Sequence, residues 1–151
     1  MDFASYITGF TDGEGTFSIS FSLRNKMRLG IETRPSFSIS QHMRSLSSLK
    51  QIQQYFGVGA IRFSARDNNY KYEVRSIKDL KSVIIPHFEA YPLKTSKLND
   101  YVLFSEICQM IYENKHQKIE YLAGIIEKAY LMNESGTRKH PKAKLLRLLT
   151  R

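Results

Sequence analysis

Two carboxylates lie close together near the start of the chain, in the segment ITGFTDGEG at residues 7–15. Asp12 and Glu14 are two residues apart, and each is followed by a glycine. A carboxylate at the end of a tightly packed helix can hold a divalent cation against a phosphate and stabilise charge on the attacking and leaving oxygens. An EF-hand is excluded because the other alternating oxygen ligands and the closing glutamate are absent. The alternative is an ordinary helix end that carries two acids.

The basic residues are concentrated in two segments of a chain whose formal net charge is +9. Residues 16–75 hold ten basic residues against three acidic ones, and residues 138–151 hold six basic residues and no acid. Such segments indicate a polyanionic partner, with nucleic acid first and an anionic membrane surface second. The alternative is a merely solvated surface. Carboxylates near the N-terminus would repel phosphates unless a cation lay between them.

Length and composition exclude several classes of protein. The chain has 151 residues, of which 42% are hydrophobic and 25% are charged, so we expect one folded domain over residues 1–151 with a basic loop and tail over 133–151. No apolar run reaches the roughly 18 residues that a membrane helix needs, and the N-terminus lacks a signal peptide's features. The single cysteine, Cys108, excludes an internal disulfide. We therefore expect an intracellular protein with no membrane partner and no small-molecule cofactor.

Hydrophobic periodicity predicts an α+β fold. Helical spacing at residues 2–12 gives way after Gly15 to alternation, in which Phe17, Ile19 and Phe21 lie on one side of a strand. The full predicted order is helix 2–12, strand 16–24, a basic connection 24–34, strand 36–40, helix 43–55, strands 61–64 and 70–75, and helices at 77–91, 96–112, 116–132 and 145–149. We expect an antiparallel sheet with helices on one face.

The polar face of that sheet is the predicted nucleic-acid surface. A two-stranded ribbon fits the DNA major groove, where hydroxyl groups meet either kind of base edge and arginine meets guanine. The predicted DNA-contacting residues of the sheet and its connections are Thr16, Ser18, Ser20, Ser22, Arg24, Lys26, Arg28, Arg34, Ser36, Ser38, Ser40, Arg62, Ser64, Arg66, Lys71, Glu73 and Arg75.

The segment at residues 7–15 resembles the motif that names the LAGLIDADG homing endonucleases. It keeps both helix glycines, the aromatic residue after the first of them, the aspartate and the acidic residue before the last glycine. The segment Gly57-Val58-Gly59 is also similar to the family. The resemblance implies the αββαββα fold with a saddle-shaped antiparallel sheet, extra C-terminal helices, and site-specific hydrolysis of double-stranded DNA.

The resemblance also implies the parts of a metal site. Glu14 would be the metal ligand and catalytic carboxylate, the main-chain carbonyl of Gly13 would face the same cation, and Asp12 would serve the end of the helix. The expected cation is Mg²⁺, with Mn²⁺ or Ca²⁺ as other possible occupants, because the ligands are hard oxygens.

Further site residues follow from the same resemblance. Gln41 would orient water near the metal, and a lysine of the loop at residues 91–97 would stabilise phosphate charge or activate water. We favour Lys97 for this role, with Lys94 as the alternative. Arg138 and Lys139 lie in a segment that is similar to a loop by which family members touch the DNA backbone.

A single copy of the motif implies a homodimer and a long, nearly palindromic target. Small residues at four-residue steps allow two helices to approach closely. The predicted interface residues are Ser5, Thr8, Gly9, Asp12 and Gly13. The alternative function is a nucleic-acid-binding protein without cleavage, or an RNA maturase on the same fold. Abundant Lys, Ile, Tyr, Phe and Asn favour an AT-rich organellar genome, in a mitochondrion or chloroplast. The family resemblance implies an intron-encoded gene.

Overall fold

The computed structural model describes residues 2–133 and 138–150. Helix α1 opens this part of the chain and spans Phe3–Glu14. The Asp2 side chain caps its first turn by accepting the N–H of Ala4 at 3.2 Å. The helix extends beyond the predicted end at residue 12, so both Asp12 and Glu14 lie in its last turn.

Four strands form one sheet in the order β1-β2-β4-β3. They span Gly15–Leu23, Ile31–His42, Ala60–Ser64 and Asn69–Val74, from β1 to β4 in chain order. Strand β4 pairs antiparallel with both β2 and β3, with Phe37 opposite Val74 and Arg62 opposite Lys71. The predicted order of elements, helix, strand, strand, helix, strand, strand, is confirmed, as is the α+β class.

Strand β2 begins five residues before its predicted start at residue 36. The sequence between Arg24 and Arg34 is rich in basic residues and was expected to be a connection. Glu32 lies between two arginine side chains there and offsets their repulsion, and Gly30 supplies the positive φ of 76° that the preceding turn requires. Arg34 therefore belongs to the sheet.

The contacts of the chain divide it into two compact units, and the first comprises residues 1–17 and 36–98. Its helices are α2 at Leu46–Phe56, α3 at Ile77–Asp79 and α4 at Ile85–Ala90, with a π-helical turn between the last two. Its core is aromatic, with the Phe37 ring 5.2 Å from Phe17 and 5.5 Å from Phe88. A Cβ at Gly59 would lie 2.7 Å from the Tyr72 ring, which explains a glycine before β3.

The second unit comprises residues 18–35 and 99–151. Its helical segments are α5 at Lys97–Tyr112, a 3₁₀ turn at Lys115–Gln117, α6 at Ile119–Ala129 and α7 at Lys142–Leu148. The first two residues of α5 belong to the first unit. Cys108 is fully buried, and burial raises the pKa of its thiol. No helix in the described ranges is long and apolar enough to cross a membrane. One domain over residues 1–151 remains a prediction, and residues 134–137 and 151 of the predicted tail lie outside the described residues.

Candidate functional site

Glu14 is the last residue of α1, and its side chain is exposed, as is Gly13 before it. The first strand begins at the next residue, Gly15. A Cβ at Gly15 would lie 2.6 Å from the Thr11 methyl group and 3.0 Å from the Thr11 carbonyl oxygen, so only glycine fits this close approach. The Glu14 carboxylate is therefore exposed to solvent at the junction between α1 and β1.

Asp12 anchors the loop that carries the candidate lysines. Its carboxylate accepts the Lys94 N–H at 2.9 Å, the Thr95 N–H at 3.1 Å and the Thr95 hydroxyl at 2.7 Å. Partial burial opposes ionisation of Asp12, but the hydrogen bonds from Thr95 and Lys94 outweigh it and lower the pKa of the carboxyl. Asp12 is thus a structural residue of the site, with a role inside one chain.

The structure distinguishes the two candidate lysines. The Lys97 ammonium group donates to the Thr11 carbonyl at 3.2 Å and also to the Gly15 carbonyl. These two carbonyls flank Glu14 in sequence, so the ammonium group lies at the C-terminal end of α1. A cation there also stabilises the negative end of the helix dipole. For Lys94, the group that reaches the site is its main-chain N–H, while its side chain is exposed.

Gln41 lies one residue before the end of β2, opposite Tyr70 of β4. Its side-chain amide donates to the Ser40 carbonyl at 2.9 Å. The side chain is half-buried, and its role in orienting water stays a prediction.

Thr8 is not on the exposed stripe of α1 as predicted. Its side chain is buried, and its hydroxyl donates to the Tyr91 carbonyl at 2.8 Å and lies 3.1 Å from Nε2 of His87. Since the hydroxyl proton is committed to Tyr91, we assign the Nε2–H tautomer to His87, whose Nδ1 then accepts from the Tyr55 hydroxyl at 3.1 Å. Thr8 shares a helix face with buried Ala4 and therefore faces the interior.

Ser5, Gly9 and Gly13 remain exposed on α1. Nothing lies within 4 Å of a Cβ built at Gly9 or at Gly13, so the two glycines border open space in the single chain.

His87 should make stability depend on pH. Burial lowers its pKa from 6.5 to about 4, although the charge of Asp2 acts in the opposite direction. Between these values the unfolded chain binds the proton more tightly, so the stability present above about pH 6.5 is lost as the pH falls towards 4. We expect a loss of at most about 3 kcal/mol, measured as the free energy of unfolding in urea at a series of pH values. The variant H87Q should lose this part of the pH dependence, and an equally steep profile would contradict the assignment.

The predicted DNA-contacting residues differ in exposure. Thr16, Ser20, Arg24, Lys26, Arg28, Arg34, Ser40, Arg62, Arg66, Lys71 and Arg75 are exposed, and Ser18, Ser22, Ser64 and Glu73 are half-buried. Ser36 and Ser38 are only 9% and 8% exposed, so little of either residue is open to DNA in the free chain. The Ser36 hydroxyl donates to a carboxylate oxygen of Glu73 at 2.6 Å, so its proton is committed within the sheet.

Arg138 is committed to contacts within its own unit. Its guanidinium group donates to the carbonyls of Ile19 and Ala129, and it lies 4.6 Å from the centre of the Tyr130 ring. The predicted phosphate contact would have to compete with two charged hydrogen bonds and a cation–π contact. Lys139 is exposed.

We therefore expect different phenotypes from R138A and K139A. Loss of two charged hydrogen bonds should make R138A less stable by about 2–3 kcal/mol. K139A should unfold like the wild type and should reduce the salt dependence of DNA binding by about one counterion. Urea unfolding and affinities at several salt concentrations measure both effects. Wild-type stability of R138A would show that its guanidinium contacts contribute nothing in solution.

The sequence did not indicate the roles of three residues, two that contact α1 and one on β2. His87 and Thr95 contact α1 from about 80 positions away in the chain, and no local pattern indicates such a contact. A local signal existed for Glu32, because residues two apart in a strand lie on one face, which places its carboxylate beside Arg34.

Comparison with known proteins gives concordant similarities. Residues 7–108 match the family model described as LAGLIDADG endonuclease. Probable intron-encoded endonuclease 2 of Neurospora crassa is 35% identical over 130 residues, which are 85% of this chain and 29% of that protein. In a second curated relative, the match covers 47% of that protein's length. The chain therefore spans less than half the length of these two relatives.

Two solved structures match over nearly their whole chains. The crystal structure of the homing endonuclease I-TnaI has a TM-score of 0.84 and 33% identity, and the match covers 97% of this chain and 95% of that one. The archaeal intron-encoded homing endonuclease I-Vdi141I in complex with DNA has a TM-score of 0.90 and 27% identity, with 97% and 94% of the two chains covered.

Proposed function

This chain belongs to the LAGLIDADG endonuclease family, and we propose on that premise that it is a homing endonuclease, which hydrolyses both strands of DNA at a long, nearly palindromic site. The observation that carries the proposal is the exposed carboxylate of Glu14 at the end of α1, directly before the first strand of a sheet rich in exposed basic residues. A carboxylate at the border of a basic surface suits a metal-assisted attack on a bound phosphate.

We propose that the reaction depends on a divalent cation, Mg²⁺ by preference. The donors present fit a hard cation, since Glu14 offers an exposed carboxylate and Gly13 an adjacent main-chain carbonyl. Within residues 2–133 and 138–150, no group of three or more His, Cys, Asp or Glu side chains could hold a metal. The remaining ligands would come from DNA phosphate, water or a second copy of the chain. A cation so held would stabilise negative charge on the attacking and leaving oxygens.

A homodimer would complete the site. The exposed Gly9 and Gly13 border open space, so the α1 helices of two copies could approach closely across a two-fold axis. That contact would bring two copies of Glu14 near one DNA duplex, one carboxylate for each strand to be cut. Ser5 would lie on the same contact, and Thr8 and Asp12 would support it from within each chain.

Lys97 would act beside Glu14 by placing positive charge near the phosphate. We expect K97M to lower the cleavage rate by about 10²–10³-fold, the usual cost of removing one group that stabilises developing charge. The same variant should also unfold more easily, since the ammonium group binds two carbonyls at the end of α1.

The matched control is K94M, which removes an exposed lysine side chain from the same loop and keeps the main-chain contact to Asp12. Single-turnover cleavage rates and melting curves of both variants measure the two effects. A larger loss of rate in K94M than in K97M would reverse the assignment.

The proposed function is tested by selecting cleaved sites from a random plasmid library in the presence of magnesium. We expect recovered sites that are long, related to one another and nearly palindromic. Specific binding without cleavage at any metal concentration would favour the alternative, a non-cleaving binding protein or an RNA maturase.

We also propose that the gene lies in an intron of an organellar genome, most simply a mitochondrial one. Similar proteins are named for introns, among them a protein in ND4 intron 1 of Podospora anserina and the endonuclease Cox1-I1b of Schizosaccharomyces pombe.

A further inference from the structure

Five cations on or next to the strands are ion-paired, in the free chain, to two carboxylates. Arg24 and Arg34 pair with Glu32, and Arg62, Lys71 and Arg75 pair with Glu73. These five cations were all predicted to contact DNA, and so was Glu73 itself, although a carboxylate on such a surface repels phosphate. The two glutamates therefore need an explanation other than affinity.

Glu73 lies on β4, between the two strands that pair with it, opposite Ser38 of β2 and Ala60 of β3. One carboxylate oxygen accepts the Ser36 hydroxyl at 2.6 Å and lies 3.7 Å from the Lys71 ammonium. The other oxygen lies 3.5 Å from Arg62 and 3.7 Å from Arg75. The Glu73 side chain is only 16% exposed, while its three cationic partners are at least half exposed. The carboxylate thus lies beneath its cations and within their reach.

Glu32 has the same arrangement in the second unit. Its two carboxylate oxygens lie 2.6 Å from the Arg24 guanidinium and 2.8 Å from that of Arg34. Its side chain is 22% exposed, whereas about half of each arginine side chain is exposed. Hydrogen bonds from Arg34 and then Arg24 lower the pKa of Glu32, which keeps the carboxylate ionised.

An arginine held in this way differs from a free one in two respects. Part of its charge is already neutralised, so it gains less from an arbitrary phosphate, which is the main source of sequence-independent affinity. The guanidinium planes of Arg24 and Arg34, which donate to Glu32 at 2.6 and 2.8 Å, are also oriented before DNA arrives. Their remaining donors can then meet a guanine edge with a smaller loss of side-chain entropy. Both effects raise the ratio of specific to non-specific affinity.

We propose that Glu32 and Glu73 are positioning residues that set the sequence discrimination of the enzyme, by holding the arginines of the sheet for base edges and away from arbitrary phosphates. The inference rests on the proposed function. It assigns the two carboxylates to selectivity and not to binding strength.

The test compares E32Q and E73Q with the wild type. Glutamine keeps the size of the side chain and an oxygen that can accept the Ser36 hydroxyl, while it removes the charge that holds the cations. The matched control is E106Q, which removes the same charge from an exposed pair, 2.6 Å from Lys128, on the helices. Melting curves first establish that all four proteins are folded.

Affinities are then measured in a chelator, to prevent cleavage, for the selected target, for a panel of singly substituted targets and for unrelated duplex DNA at several salt concentrations. We expect E73Q and E32Q to bind unrelated DNA about 3–10-fold more tightly, with a salt dependence steeper by about one to two counterions. The ratio of specific to unrelated affinity should fall about 10-fold, and E106Q should behave as the wild type.

Two results would overturn the inference. One is an unchanged affinity ratio and salt dependence in both variants while the wild type discriminates normally. The other is a loss confined to a single base pair, which would mean that the carboxylate itself reads a cytosine amino group. If instead the wild type bound no duplex in preference to another, the proposed function would fail, and this inference with it.

Discussion

E14Q should reduce DNA cleavage by about 10³-fold or more while leaving affinity for the target within a few fold. Glu14 is an exposed carboxylate at the end of α1. In the proposed metal site, a neutral amide could not replace this charged ligand of a divalent cation. Binding should survive because the cations of the sheet are unchanged. The measurement is a single-turnover cleavage rate with magnesium, beside an affinity measured in a chelator.

Two further variants test whether the effect of E14Q depends on the position of the lost charge. E120Q removes an exposed carboxylate of α6 and should cut at the wild-type rate. D12N should show a different defect, a lower melting temperature, because the Asp12 carboxylate holds the loop of Lys97 through three hydrogen bonds. DNA cleavage by E14Q at the wild-type rate would show that Glu14 has no catalytic role.

G9L should convert the proposed dimer into a monomer. Gly9 is exposed on α1 and borders open space, so a single chain can accommodate the larger side chain, whereas two closely packed α1 helices cannot. Overpacking costs about 1–3 kcal/mol for each inserted side chain, and a two-fold interface would contain two. Sedimentation at several protein concentrations, with and without DNA, measures the change, and cleavage of the target should be lost with the dimer.

The matched control is G124L. Gly124 also lies in a helix and also borders open space, but it belongs to α6. It should sediment and cleave as the wild type does. A native, active dimer of G9L would exclude α1 as the interface, and a wild type that stays monomeric on its target DNA would exclude the dimer itself.

The sequence by itself predicted the order of the helices and strands and indicated the proposed chemistry. The alternation of Phe17, Ile19 and Phe21 specifies a strand with one buried face, because successive side chains of a strand point to opposite sides. The acidic motif at residues 7–15 likewise indicates a carboxylate at a helix end, which is where Glu14 lies. Both signals are local, so the residues that carry them are neighbours in the chain.

Only the tertiary structure decided which partner each polar side chain takes. Lys97 rather than Lys94 reaches the end of α1 across 86 positions, Thr8 turns inward to a histidine 79 positions away, and Arg138 binds a carbonyl 119 positions away. Charge and hydrogen-bonding capacity are visible in a sequence, but a hydrogen bond forms only where folding brings donor and acceptor within about 3 Å. The sequence therefore predicted a basic sheet, and only the fold showed that the arginines at residues 24, 34, 62 and 75 are ion-paired to two glutamates.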